Sequence, residues 1–226
     1  MNNSKKLKEG DIFYVKVNEK YIFGRLLIDT KKRIFKLEPQ HKLKFYNGCY
    51  LVEVYKGIYD KPELPTREII YPSSFVFSST FYPSKLYKKT VEWTFYKNEP
   101  IDYKEIDFPE VLEIGENGYL NLRKFDISLA TKTLIKDFWP KITEQKYTGC
   151  AFSIFYQLVD ESFLLQNRKD LIMDKERTYF TFNNDLRFQI KDRENFYKQI
   201  GEDINISYYK LAMKHGYDIG RFYIKK

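Results

Sequence analysis

The first hundred residues alternate between apolar and polar positions with the period of two that is typical of β-strands. Residues 11–17 and 21–28 are rich in β-branched and aromatic side chains, and only Asn18, Glu19 and Lys20 separate the two runs. So short a polar gap predicts a β-hairpin. Gly24 inside the second run predicts a bulge or a close approach of another backbone, and Arg25 is a candidate partner for Asp11 across the hairpin.

The same pattern predicts further strands along the N-terminal part. Asp29-Thr30-Lys31-Lys32 is predicted as a turn, and Asn47-Gly48 carries a second turn signal. The predicted strands are residues 33–37, 50–55, 69–77 and 91–96. Successive strands joined by short turns predict a bent antiparallel sheet or partial barrel over residues 9–100.

The second half has more helical spacing. Helices are predicted from Asp126 or Ser128 to Phe138, from Asp192 to Ile200 and from Ser207 to His215. Residues 150–166 fit a helix, with a buried strand as the alternative, and residues 178–190 fit a hairpin.

The predicted fold class is therefore α+β, with the N-terminal sheet followed by a more helical C-terminal half. An acidic stretch containing Pro109, Gly115 and Gly118 suggests a boundary between a β-rich domain over residues 8–112 and an α+β region over residues 113–226. The two regions either share one core or form separate ones.

Charge is distributed unevenly along the chain. The net charge is +8, and residues 1–50 carry 12 Lys or Arg against 5 Asp or Glu. Such a basic segment suits an acidic protein surface or nucleic acid, or it keeps a sheet edge soluble. Aromatic residues make up 18% of the chain, with 20 Tyr, a residue type enriched at protein interfaces.

No export or membrane signal is apparent, so a cytoplasmic location is expected. Residues 1–10 are polar and basic, and no apolar run approaches the roughly 20 residues of a membrane span. Cys49 and Cys150 match no metal-ligand spacing and are expected to be buried thiols in a reducing compartment.

Recognisable catalytic motifs are absent from the sequence. There is no phosphate-binding glycine loop, no His-Glu-x-x-His, no Cys-x-x-Cys and no Gly-x-Ser-x-Gly. A nucleophile pair of Cys150 with His41 or His215 stays open as an alternative. We therefore expect no enzymatic activity, no cofactor and no metal.

Two segments resemble the immunity protein 26 family of bacterial polymorphic-toxin systems. The first is Glu9-Gly10-Asp11-Ile12-Phe13 followed by Tyr21-Ile22-Phe23-Gly24-Arg25. The second is Ser74-Phe75-Val76-Phe77 followed by Val91-Glu92-Trp93-Thr94-Phe95-Tyr96-Lys97-Asn98-Glu99-Pro100. The chain departs from the family pattern at Tyr96-Lys97, and the resemblance covers about residues 8–110.

The resemblance implies a cytoplasmic immunity protein that binds a cognate toxin domain and blocks it by protein–protein contact. The alternative is a nucleic-acid-binding small barrel or a toxin-type endoribonuclease, which the basic N-terminus and the aromatic content suit. Nucleic acid is the less favoured partner, because the excess charge is spread over turns and not along one helix face. The candidate partner-binding residues form a basic, aromatic edge: Tyr21, Lys31, Lys32, Arg33, Lys42, Lys44 and Tyr46.

Overall fold

A computed structural model describes residues 6–34, 45–82, 91–139, 152–175 and 181–217. It divides into two compact units. The first unit is Met1–Asp102 with Phe152–Tyr179, and the second is Tyr103–Ala151 with Phe180–Lys226. The chain has the predicted α+β fold, with an N-terminal antiparallel sheet and most of the helices in the C-terminal half. The predicted boundary between residues 112 and 113 stays a prediction.

The first unit is built on a six-stranded sheet in the order β5-β1-β2-β3-β4-β9. Five strands are antiparallel, and the short β9 pairs parallel to β4 at one edge. The strands are β1 (Asp11–Val17), β2 (Lys20–Asp29), β3 (Cys49–Tyr55), β4 (Ile69–Phe77), β5 (Trp93–Asn98) and β9 (Phe152–Ser153).

The predicted hairpin joins β1 to β2 through a two-residue loop. Val17 pairs with Lys20, so only Asn18 and Glu19 lie between the strands. Both loop residues have positive φ, 47° and 59°. Two successive residues in this region are the signature of a type I′ turn, whose twist matches that of the flanking strands.

The core of the first unit lies between the sheet and helix α3 (Phe155–Leu165). Phe155 is fully buried, with its ring stacked on Phe81 at 3.9 Å and edge-on to Phe13 at 5.6 Å. Successive strand residues face opposite sides of a sheet, so Phe23, which pairs with Tyr14, lies on the face away from Phe13.

The second unit has a three-stranded antiparallel sheet in the order β6-β7-β8. Its strands are β6 (Glu110–Ile114), β7 (Tyr119–Lys124) and β8 (Ile127–Leu134). Its helices are α2 (Ile135–Phe138), α4 (Ile190–Ile200) and α5 (Tyr208–Lys214). The core of this unit lies between the sheet and α4. It consists of buried residues from the strands, from α4 and from the segments after α2 and before α4: Leu112, Leu120, Leu122, Trp139, Leu186, Phe196 and Tyr197.

Three helix predictions are confirmed with shifted boundaries. The helix predicted within residues 150–166 is α3, which β9 precedes. Helix α4 begins at Ile190, ahead of the predicted Asp192, and ends at Gly201 with φ 72°. The side chain of Ser207 accepts from the backbone N–H of Lys210, so it caps α5 as predicted.

Three local predictions are wrong. Residues 33 and 34 end a short helix, α1 (Thr30–Ile34), instead of opening a strand. The Thr30 hydroxyl lies within hydrogen-bond distance of the carbonyls of Tyr46 and Cys49, either of which can accept its one proton, and it accepts from the backbone N–H of Cys49. These contacts fix the chain direction after β2. The remaining residues of that predicted strand, 35–37, lie outside the described part of the chain.

The other two errors concern the second unit. Most of the helix predicted up to Phe138 is strand β8, in which Ile127 and Thr131 are buried at alternating positions against β7. The hairpin predicted over residues 178–190 is wrong in its described part, because residues 181–188 form two 3-10 turns, Thr181–Asn184 and Leu186–Phe188. Residues 178–180 lie outside the described part of the chain. The Asp185 carboxylate accepts from the backbone N–H of Arg187 and so favours the turn over an extended strand.

Candidate protein-binding surface

Some of the residues that carry the family resemblance meet at the open end of the hairpin. Gly10 has φ 89° and accepts a backbone hydrogen bond from Glu99. Asp11 accepts from the Asn98 amide at 2.7 Å. Arg25 donates from Nη2 to the carbonyls of Glu99 and Pro100, at 3.1 and 2.7 Å. The predicted Asp11–Arg25 pair is therefore wrong, since Asp11 bonds to the last residue of β5 and Arg25 bonds to the two residues that follow it.

Gly24 fulfils the predicted close approach without a bulge. A Cβ at this position would lie 2.7 Å from Phe13 Cζ and 3.1 Å from the Glu53 carbonyl oxygen. The absence of a side chain lets the Phe13 ring lie across β2 and reach the core. Gly10, Asp11, Gly24 and Arg25 of the first segment are thus explained by packing and hydrogen bonding within the sheet.

The residues of the predicted partner-binding edge differ in exposure and do not lie together. Lys31 and Lys32 are exposed on α1, and Lys32 Nζ lies 3.8 Å from Asp29. Arg33 is largely buried and ion-paired with Glu9, to which its Nε donates at 3.0 Å. Arg33 therefore has a structural partner, whereas the two lysine ammonium groups reach solvent.

The aromatic members of that prediction are separated along β2. Tyr46 is 7% exposed and its ring packs on Phe75 at 4.2 Å, close to α1. Tyr21 lies at the opposite end of β2, roughly 25 Å away at the rise of a β-strand. Lys42 and Lys44 lie outside the described residues. The structure thus places Tyr46 next to Thr30 at the start of α1, and Tyr21 far from that helix.

Tyr21 belongs to a different cluster, which we call the tyrosine face: Tyr14, Tyr21, Phe23, Tyr59 and Tyr96. Phe23 is 1% exposed and is covered by the rings of Tyr14, Tyr59 and Tyr96, whose centroids lie 5.2–5.9 Å from it. All of these pairs are edge-to-face. The four tyrosines are half-buried, so their rings are fixed while part of each ring remains open to solvent.

The tyrosine face is built from three strands, β1, β2 and β5, and from the loop after β3. Tyr21 and Tyr59 exchange backbone hydrogen bonds of 2.8 and 3.0 Å, which tie the loop after β3 to β2. The Tyr59 hydroxyl donates to the Lys56 carbonyl. By contrast, the hydroxyls of Tyr14 and Tyr96 make no hydrogen bond to any residue that the structure describes.

Charged residues surround the tyrosine face in pairs. Lys16 Nζ lies 2.6 Å from Glu19 and 5.8 Å from the centre of the Tyr21 ring. Lys97 Nζ lies 2.9 Å from Glu99 and 5.6 Å from the centre of the Tyr96 ring. Each lysine is exposed along its side chain and combines an ion pair with a cation–π contact.

A buried carboxyl lies on the same side of the sheet. Glu53 pairs with Arg25 across β2 and β3, and it is 8% exposed. Burial raises the pKa of Glu53, although the Arg25 guanidinium and the Tyr55 hydroxyl act in the opposite direction. Arg25 therefore lies opposite this carboxyl, while its guanidinium is held by the carbonyls after β5.

The sequence contained a signal for part of this surface that the strand predictions did not use. A two-residue loop at Asn18 and Glu19 places Tyr14 opposite Phe23 and Lys16 opposite Tyr21. The position of Tyr59 and Tyr96 beside them depends on a loop and a distant strand, which no local pattern specifies.

The second unit contains a buried charge cluster. Glu110 is fully buried and accepts from Lys124 at 3.0 Å, from Arg193 at 2.6 Å and from the Tyr197 hydroxyl at 2.8 Å. Burial acts to raise the pKa of Glu110, but Lys124 and Arg193 outweigh it and hold the pKa below its usual range. Because the carboxylate has three donors, we interpret the cluster as a structural link between β6, β7 and α4.

The nucleophile-pair alternative gains no support from the described residues. His215 lies at the end of α5 with its Nε2 2.8 Å from Glu202, and His41 and Cys150 lie outside the described part of the chain. Within the described residues, no group of His, Cys, Asp and Glu has an arrangement that could hold a metal ion. In that same part of the chain, no helix has both the length and the apolar character needed to cross a membrane.

Comparison with known proteins gives one match. Neither the curated proteins nor the solved structures include a match to this chain. The family model described as immunity protein 26 matches residues 8–115. This match confirms the resemblance of the opening hairpin and the Trp93 strand, and it shows that residues 8–115 are similar to the immunity protein 26 family.

Proposed function

We propose that this protein is a bacterial immunity protein that binds a cognate toxin domain in the cytoplasm and neutralises it by protein–protein contact. The observation that carries the proposal is the family match over residues 8–115. The pairing of the buried charges in the second unit is consistent with a non-enzymatic role, because these groups serve the fold. Toxin and immunity protein would belong to one polymorphic-toxin system.

The basic edge is proposed to act in the encounter with the toxin. Lys31 and Lys32 have exposed ammonium groups, and Arg33, Tyr46, Lys42 and Lys44 belong to the same stretch of sequence. Clustered positive charge speeds association with an acidic surface, and the effect falls with ionic strength. Tyr21, the remaining residue of the predicted edge, would contact the toxin separately through the tyrosine face.

Nucleic-acid binding is the second candidate function, because most of the net charge lies in residues 1–50. Binding of RNA or DNA would fall steeply with salt, by roughly 0.7–0.9 decades in affinity per decade of salt for each neutralised phosphate. A salt titration with a single-stranded RNA 20-mer and a DNA duplex tests this function directly.

The proposed function is tested by co-expression with the toxin domain encoded beside this protein's own gene. We expect the toxin alone to stop growth of a bacterial host, and co-expression to restore growth through a stable complex. A neighbouring toxin that this protein neither binds nor neutralises would contradict the proposal.

The role of the basic edge is tested with Lys31→Glu combined with Lys32→Glu. These residues are exposed, so the fold should be retained. We expect the association rate at low salt to fall about tenfold, with a smaller effect at high salt. The matched control is Lys132→Glu with Lys136→Glu, an equal charge change at exposed positions of the second unit. Equal association rates for both variants would place the encounter surface elsewhere.

A further inference from the structure

We propose that the tyrosine face is the docking surface for the toxin, and that it recognises a protein surface rich in hydrogen-bond acceptors. This inference rests on the proposed function and goes further by naming the contact residues. Its centre is the buried Phe23, and its accessible groups are the hydroxyls of Tyr14 and Tyr96 and the ammonium groups of Lys16 and Lys97.

The first argument is the residue composition of the face. Tyrosine is among the residue types that most often dominate binding energy, because it combines a large apolar ring with a polar end. Four half-buried tyrosines surround Phe23 in this one cluster. Their rings are held by edge-to-face packing, so little side-chain freedom remains to be lost on binding.

The second argument is the hydrogen-bonding capacity of the face. Tyr14 and Tyr96 present hydroxyls that bond to no described residue, and Lys16 and Lys97 present ammonium groups nearby. All four groups can donate. The complementary partner is therefore a protein surface of mixed charge that offers backbone carbonyls to the hydroxyls and single carboxylates to the two lysines.

The geometry favours a protein over a nucleic acid. Base stacking requires an open aromatic face, but the Phe23 ring is covered and Tyr14 meets both Tyr21 and Phe23 edge-to-face, with centroids 5.4 and 5.7 Å away. Glu19 and Glu99 also lie beside the two lysines, and their carboxylates would repel phosphates. A protein surface with mixed charges and polar groups meets neither obstacle.

Arg25 also holds part of this surface in place. The Arg25 guanidinium, one position beyond Gly24 on β2, holds the Glu99 and Pro100 carbonyls and so positions the end of β5. Tyr96 and Lys97 lie in that strand. The residues that resemble the family thus hold β5 in the place that presents Tyr96 and Lys97, which links the sequence pattern to the proposed docking surface.

The test uses the full chain and the toxin domain encoded beside its gene. Tyr14→Phe combined with Tyr96→Phe removes two hydroxyls and keeps both rings, so the melting temperature should stay unchanged. We expect the Kd for the toxin to rise at least tenfold, mainly through faster dissociation. The matched control is Tyr119→Phe, an exposed tyrosine of the second unit, for which the Kd should stay unchanged.

A second variant tests the charges of the face. Lys16→Glu with Lys97→Glu should weaken the complex by at least tenfold, whereas Lys132→Glu with Lys136→Glu should not.

The outcomes separate this inference from the proposed function. A Kd unchanged in both tyrosine-face variants, with the wild-type protein binding the toxin, would overturn this inference and leave the proposed function intact. Failure of the wild-type protein to bind that toxin would overturn both. Loss of RNA 20-mer binding in these variants, with toxin binding unchanged, would assign the face to nucleic acid and also overturn the inference.

Discussion

Gly24 shows how one residue of the family pattern acts through packing alone. The Phe13 ring occupies the space that a side chain on β2 would need, with its Cζ 2.7 Å from the site of a Cβ. We expect Gly24→Ala to lower the free energy of unfolding of the first unit by about 1–3 kcal/mol, because the added methyl group overpacks the core. Urea unfolding followed by tryptophan fluorescence measures this change.

The matched control for Gly24→Ala is Thr94→Ala, at an exposed position of β5. Its effect should stay within about 0.5 kcal/mol, since it touches no special feature. An equal free energy of unfolding for wild type and Gly24→Ala would contradict the proposed reason for glycine at this position.

Glu19 has a backbone conformation that is unfavourable for a residue with a side chain. It lies in the type I′ turn with φ 59°, a region that costs a residue with a Cβ about 1–2 kcal/mol. We expect Glu19→Gly to raise the free energy of unfolding by about 0.5–1 kcal/mol, because glycine relieves this cost while only an exposed ion pair with Lys16 is lost.

The two effects of that substitution are separated by Glu19→Ala, which removes the carboxylate but keeps the Cβ. This variant should be equal to wild type or slightly less stable. The denaturant midpoints of the three proteins give the comparison. If Glu19→Gly is less stable than Glu19→Ala, backbone strain in the turn does not determine the stability of the hairpin.

At the scale of elements, the Glu110 cluster joins strands β6 and β7 to helix α4. Glu110→Gln would remove the carboxylate that pairs with Arg193 and would leave the buried Lys124 with Asp107 as its remaining carboxylate partner. We expect the second unit to lose about 3–5 kcal/mol of stability at neutral pH. Glu116→Gln, an exposed carboxyl of the same unit, is the control and should change little.

The pH dependence of that loss follows from the lowered pKa of Glu110. A group whose pKa is lower in the folded state stabilises the fold above its unfolded pKa, here 4.5, and the contribution disappears as pH falls through the folded value. The stability difference between wild type and Glu110→Gln should therefore shrink below about pH 4. A difference that is constant from pH 7 to pH 3 would assign the effect to packing and not to charge.

The elements also show which features local sequence determines. The hairpin was predictable because Asn18 and Glu19 interrupt two apolar runs, and α5 was predictable because Ser207 and Gly216 mark its ends. Strand β8 was not predictable, because Asp126 and Ser128 resemble helix caps. The hydrogen bond of Thr131 to β7 depends on a contact between strands, which the local sequence does not specify. The tyrosine face was only partly predictable, because Tyr59 and Tyr96 reach it from separate segments.

At the scale of the whole molecule, the residues that match the family model are not the same as the residues of the first compact unit. The match ends at residue 115, whereas the first unit also contains residues 152–179. That later segment supplies α3, whose residues Phe155, Leu158 and Phe163 are fully buried. The first unit therefore completes its core with residues from outside the matched segment.

The segment comprising residues 1–115 is consequently expected not to fold alone. Without α3 the Phe13 side of the sheet would expose the rings of Phe13 and Phe81, which pack on Phe155 in the full chain. We expect this fragment to be insoluble, or soluble without a cooperative thermal transition by circular dichroism. In the full chain, Phe155→Ala should lower the free energy of unfolding by about 3–5 kcal/mol, and Lys169→Ala, at an exposed position just after α3, should not. A 1–115 fragment that unfolds cooperatively at the melting temperature of the full chain would show that the matched segment is a complete domain, and that α3 only covers it.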